Sequence, residues 1–275
     1  MISTTELEPL SPEQHYRVLN VMQAEWIKMR SVRSTMWALI ALAVTTLGVA
    51  VVAGVTIPAQ WYTFPLDQRQ NFDPTNTSLT GMLFGQLVIG ILGVLVMSAE
   101  YGTGTIRLTL AGIPNRPLIV AAKACVFALV GLVVGELVSF GSFFIGQTLF
   151  TSPASHATIG EPGVLRAVVG SGLIIPVLGI FAMGLATIIR HSAGAITAYV
   201  GTLLVLPITL DALPSSISHP ILNFLPLQIG DAMSAVVIVR GSGWTLSPWA
   251  GFGVLCLYAL VALAIGSWLM VRRDA

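Results

Sequence analysis

Residues 36–57 read MWALIALAVTTLGVAVVAGVTI, a run without one charged side chain. A hydrocarbon core about 30 Å thick is crossed by about 20 apolar helical residues, so Met36–Ile57 is long enough to be a membrane span. Working outward, the same texture recurs at Leu79–Ala99, Ile119–Thr148, Leu165–Ile189, Ala193–Leu210 and Trp249–Val271. The runs are continuous rather than alternating, which argues against a β-barrel. Helices are then the way to satisfy every backbone N–H and C=O inside lipid. The sequence therefore predicts an all-α membrane protein with six transmembrane helices.

Composition agrees. Hydrophobic residues make up 55% of the 275 and charged residues only 9%, against about 25% charged in soluble domains. The charges are unevenly placed. With these spans, one side carries Arg17, Lys28, Arg30, Arg33, Arg107, Arg116, Lys123, Arg190, Arg272 and Arg273, and the other carries Arg69, Arg166 and Arg240. Positive residues collect on the cytoplasmic side of membrane proteins, which predicts that both termini are cytoplasmic and the chain is multi-pass. The spaced basic and aromatic surface of a nucleic-acid binder is absent. Cys125 and Cys256 fall inside spans without CxxC spacing and read as buried packing thiols. No metal site is expected. Asn76-Thr77-Ser78 fits a glycosylation acceptor, a pattern short enough to arise by chance.

Between the spans, residues 13–33 have a helical pattern. Val18, Met22, Trp26 and Met29 gather on one face and Arg17, Asn20, Ala24 and Lys28 on the other, as in an amphipathic helix lying on the cytoplasmic membrane surface. Trp61, Tyr62 and Phe64 sit where an interfacial aromatic belt belongs. The Arg190-His191-Ser192 turn is so short that spans four and five must form an antiparallel hairpin. Residues 211–248 are too long for a connection and too apolar for a solvated loop, and Pro214, Pro220 and Pro226 leave no uninterrupted span. Two short re-entrant helices between spans five and six fit better than a seventh crossing.

Several features concern packing. Gly81-x-x-x-Gly85 and Gly131-x-x-x-Gly135 read as helix-packing positions, within the chain or at a subunit interface. Pro176 and Pro207 lie inside spans four and five and should interrupt their hydrogen-bond ladders. Glu136 lies deep in span three, where a carboxyl group is costly. It serves either helix packing or the handling of a substrate or proton.

Catalysis has little support. There is no GxxxxGK[ST] phosphate loop, no HExxH, and no Ser–His pair or second carboxylate at membrane depth. No catalytic residue is assigned. Three readings remain: a transport subunit powered by another chain, a gradient-driven transporter using Glu136, and a membrane scaffold or sensor.

Two stretches then carry a resemblance. Glu100-Tyr101-Gly102-Thr103-Gly104-Thr105-Ile106-Arg107-Leu108-Thr109-Leu110, continuing into Ile113-Pro114-Asn115-Arg116, resembles the segment after span two in permease subunits of ATP-binding cassette exporters of the type-2 membrane-domain class. Leu185–Ile196, around Arg190-His191-Ser192, is similar to the same family, and Phe224-Leu225-Pro226 more weakly so. The resemblance implies that residues 1–275 form one transmembrane permease domain, with 13–33 as the connecting helix and 100–112 as the coupling segment against an ATP-binding subunit. Glu25, Glu100, Tyr101, Thr105, Ile106, Arg107 and Leu110 would then face that partner, with Glu25, Glu100 and Arg107 meeting its charges. It further implies that the chain binds no cofactor itself, ATP and magnesium belonging to the partner ATPase. A second permease subunit, identical or related, would complete a pathway for an amphipathic or hydrophobic cargo in a bacterial inner membrane.

Overall fold

The computed structural model describes residues 18–102, 116–237 and 246–273, and among them every regular element is helical. Helix α1 (Val18–Ser31) leads at Val32 into α2 (Arg33–Ala59), the first span. A 3-10 turn at Trp61–Thr63 and the short helices α3 (Leu66–Gln70) and α4 (Pro74–Leu79) precede α5 (Met82–Gly102). Helix α6 (Arg116–Leu149) is followed by α7 (Val164–Ile189) and α8 (Ser192–Val200). The fifth span continues through a π-helical stretch, Gly201–Val205, into α9 (Leu206–Asp211). Helices α10 (Ser215–Leu222) and α11 (Pro226–Ser234) come before α12 (Pro248–Arg273). Six helical stretches are long and apolar enough to cross a membrane, as the sequence predicts.

Helix α7 is the axis of the bundle, packing on α5, α6 and α12. Of its most apolar window 67% is buried, against 22% for α2 and for the fifth span. Its Ile174, Ile175, Leu178 and Met183 are fully enclosed. The glycine pairs turn out to be intramolecular contacts. Gly81, just before α5, and Gly85 within it let the chain lie against Thr46 of α2, and Gly131 and Gly135 let α6 lie against Gly172, Ile175 and Pro176 of α7. In lipid, where apolar side chains gain little by leaving solvent, such close backbone approach is a main source of helix association. Gly93 abuts the carbonyl oxygen of Gly179, a neighbour that cannot swing aside. Gly93→Ala is therefore expected to destabilise the bundle by about 1–3 kcal/mol, read as a lower unfolding temperature in detergent.

The hairpin between spans four and five forms as expected. Arg190 closes α7 with φ 60°, a left-handed conformation uncommon outside glycine. His191 then caps α8, its Nδ1 accepting from the Gly194 N–H at 3.4 Å. The two prolines behave differently. Pro176 is accommodated inside a continuous α7, whereas upstream of Pro207 the ladder changes to π-type hydrogen bonding.

Other positions add detail to these expectations. Cys125 is exposed on the bundle surface rather than buried. Asn76, in the pattern short enough to arise by chance, sits in α4 with its amide donating to Ser234 Oγ at 3.0 Å. On α1 the buried side chains are Val21, Glu25 and Met29, while Trp26 is 48% exposed. The protein-facing stripe is thus centred on Glu25, and Trp26 lies on the open side of the helix.

Candidate functional site

Among the described residues, three of the polar arrangements in the apolar bundle bear on function. The first lies at the end that holds both α1 and the start of α6. Glu25 Oε2 accepts from Lys123 Nζ at 2.6 Å, and its Oε1 accepts from Lys28 Nζ at 2.9 Å. Glu25 and Lys123 are both buried. Burial alone would raise the Glu25 carboxyl, but the Lys123 charge, then hydrogen bonds from Lys123 and Lys28, outweigh it and hold the group below its ordinary 4.5. One helical turn separates Glu25 from Met29 and Val21 on either side, so α1 docks on α6 by an apolar stripe with an ion pair in its middle. Glu25, expected to meet a partner's charge, instead has both oxygens engaged by lysines of its own chain.

The second arrangement is Glu136. Its two carboxyl oxygens are buried and have no hydrogen-bond partner among the described residues. The group lies over Gly172 of α7, where an added Cβ would come within 2.6 Å of the carboxyl carbon. One turn further on, Ser139 Oγ donates to the Val168 carbonyl at 2.6 Å and fixes the α6–α7 register.

The third is a clamp at the opposite end of the bundle. Asp73 caps α4, Oδ1 accepting from the Thr75 and Asn76 N–H groups at 3.0 and 2.9 Å. Its Oδ2 accepts from the Val236 and Val237 N–H groups at 2.6 and 2.8 Å. Arg166, in the first turn of α7, donates to the carbonyls of Met233 and Ala235 at 2.9 and 2.6 Å. The backbone leaving α11 is held by its carbonyls from one side and by its amides from the other.

A model of the ABC-2 family of transporter proteins matches residues 21–209 of the chain. The chain belongs to that family. It is thus an ABC-type, multi-pass membrane permease, and the family implies a partner subunit that binds ATP. No curated protein matches the chain. The matched region covers most of α1 and nearly all of the first five spans, and so both Glu25 and Glu136.

Of the residues expected to face the ATP-binding subunit, Glu100 and Tyr101 lie in the last turn of α5. Thr105, Ile106, Arg107 and Leu110 lie outside the described residues. In sequence they fall between α5 and α6. Sequence reasoning missed the pairing role of Lys123, which counted only as a positive charge. It also missed the clamp, although Asp73-Pro74 carried a usable signal: an N-cap residue before a first-turn proline.

Proposed function

We propose that this permease is one membrane half of an ATP-driven exporter. It would pair with a second permease subunit, identical or related, and a separate ATPase would hold the ATP and magnesium. The observation that carries the reading is the position of α1. A buried ion pair fixes it to the first turns of α6, immediately after the segment that resembles a coupling helix. A push on that segment reaches a helix junction whose parts are bonded together, and from there passes to α6, which packs along α7. Tyr101 would anchor the segment, Ile106 and Leu110 would offer it an apolar face, and Glu100, Thr105 and Arg107 would set its register on the ATPase.

On this reading both termini are cytoplasmic, in a bacterial inner membrane, and α10 and α11 dip part-way into the outer leaflet. The largely apolar spans suit an amphipathic or hydrophobic cargo. Reversal of Arg107 to Glu is the test. It is expected to abolish substrate-coupled ATP hydrolysis and to weaken recovery of the ATPase in a mild-detergent pull-down. Unchanged assembly and transport in the Arg107→Glu variant would refute this placement of the coupling segment. The rival reading, a gradient-driven carrier, has the unpartnered Glu136 in its favour; it requires uptake by proteoliposomes that contain no ATPase.

A further inference from the structure

We infer that Glu136 is the recognition site for a positively charged group on the cargo, so that the cargo of this permease is an amphipathic cation. The inference rests on the exporter reading for the word cargo, and on the α6–α7 seam for its chemistry.

Glu136 occupies a boundary on α6. On one side of it, Gly135 and Ser139 meet α7, with Gly172 opposite. On the other side begins an outward apolar face that includes Val133, 57% exposed, and Leu137, 68% exposed. The carboxyl therefore lies at the inner edge of a surface open to an apolar body, and its oxygens are covered but unsatisfied. A membrane-buried carboxylate without a counter-ion is unfavourable, and such residues characteristically line substrate or ion paths. The described basic side chains on these two helices are occupied elsewhere. Lys123 is bonded to Glu25, about 20 Å from Glu136 along the helix at 1.5 Å per residue. Arg166 is bonded to the Met233 and Ala235 carbonyls.

Glu136 lacks a hydrogen-bond donor among the described residues, and the face that opens beside it is apolar. A ligand with an ammonium head and an apolar tail meets both conditions. The tail lies on the Val133–Leu137 face and the head meets the carboxyl at the edge of the seam, the carboxyl itself filling the space over Gly172. A charge-assisted hydrogen bond formed there is shielded from water and strengthened accordingly.

The test is direct binding to the assembled permease complex in nanodiscs of zwitterionic phosphatidylcholine, without nucleotide. The probes are a dansyl-labelled decylammonium and its neutral hydroxyl-terminated counterpart. The wild type is expected to bind the ammonium probe at least about ten-fold more tightly than the neutral one, a difference of about 1.4 kcal/mol. Glu136→Gln, nearly isosteric and uncharged, is expected to erase that preference while leaving the affinity for the neutral probe in place. Gly172→Ala, which crowds the carboxyl without removing its charge, is expected to weaken binding of the ammonium probe. Equal affinity for both probes in the wild type would overturn the inference without recourse to any variant, and so would a preference retained by Glu136→Gln. The binding assay uses no ATP, so a complex that selects the cation yet never couples hydrolysis to transport would sink the exporter reading and leave this site standing.

Discussion

Glu25→Ala is expected to lower the unfolding temperature of the detergent-purified permease sharply, through a loss of about 3–5 kcal/mol, as when one partner of a buried ion pair is removed. The substitution takes from the enclosed Lys123 ammonium the carboxylate 2.6 Å away, and it takes from α1 the central contact of its docking stripe. A companion variant separates charge from packing. With Glu25→Leu and Lys123→Met together, both polar groups are replaced by apolar ones of similar reach, and most of the lost stability should return. If the double variant unfolds as early as Glu25→Ala, the pair is not what holds α1 in place. The pH dependence follows from the sign of the shift. Glu25 is held below its ordinary 4.5 in the folded state, so its stabilisation is complete above 4.5 and is lost as pH falls through the lower folded value. Unfolding temperatures measured from neutral pH downward should stay level for this contribution until the pH drops beneath 4.5, then fall. In the Leu/Met double variant that acid-side loss should be absent.

The inward position of Glu25 on α1 shows where the sequence was legible. Long apolar runs locate the six spans because lipid imposes a condition on every residue of a crossing. The choice of face on an interfacial helix is set by a few side chains. Hydropathy treats Glu25 as a solvent-facing residue and Trp26 as an anchor, but the structure turns Glu25 inward. Its partner is 98 residues away, and no local periodicity contains that information. The short helix before the second span was not legible for a related reason. Pro74, Thr75, Asn76, Thr77 and Ser78 are polar or helix-breaking in isolation, yet they form α4 because Asp73 caps it and Gln147 of α6 donates to the Pro74 carbonyl at 2.9 Å. For Glu136 the sequence supplied its depth, while its position at the edge of an exposed face and its lack of partners required α7 to be placed beside it.

Asp73→Asn and Asp73→Ala are expected to give different patterns of amide hydrogen exchange, and the difference tests the clamp. Alanine removes all four accepted hydrogen bonds: the α4 cap, about 1 kcal/mol, and the two bonds from Val236 and Val237, in which the acceptor is a carboxylate. Hydrogen bonds to charged groups contribute about 1.5–3 kcal/mol each when enclosed. Val237 is exposed, so an overall loss of about 2–4 kcal/mol is the reasonable sum. Asparagine keeps one oxygen and exchanges the other for an NH2 donor. With its oxygen toward Thr75 and Asn76 the cap survives, but the NH2 then faces the Val236 and Val237 N–H groups, donor against donor. In Asp73→Asn, the amides of Val236 and Val237 should therefore exchange faster while those of Thr75 and Asn76 remain protected. In Asp73→Ala all four should exchange faster. Arg166→Met releases the same backbone from its carbonyl side and should accelerate exchange at Val236 and Val237 without touching the α4 cap. Asp73 and Arg166 grip one short piece of chain from opposite edges, and neither bonds the other directly among the described contacts. Loss of either should thus loosen the hold of the other. If Arg166→Met leaves the Val236 and Val237 amides as protected as in the wild type, the two halves of the clamp act independently, and the segment after α11 is held by the Asp73 carboxylate alone.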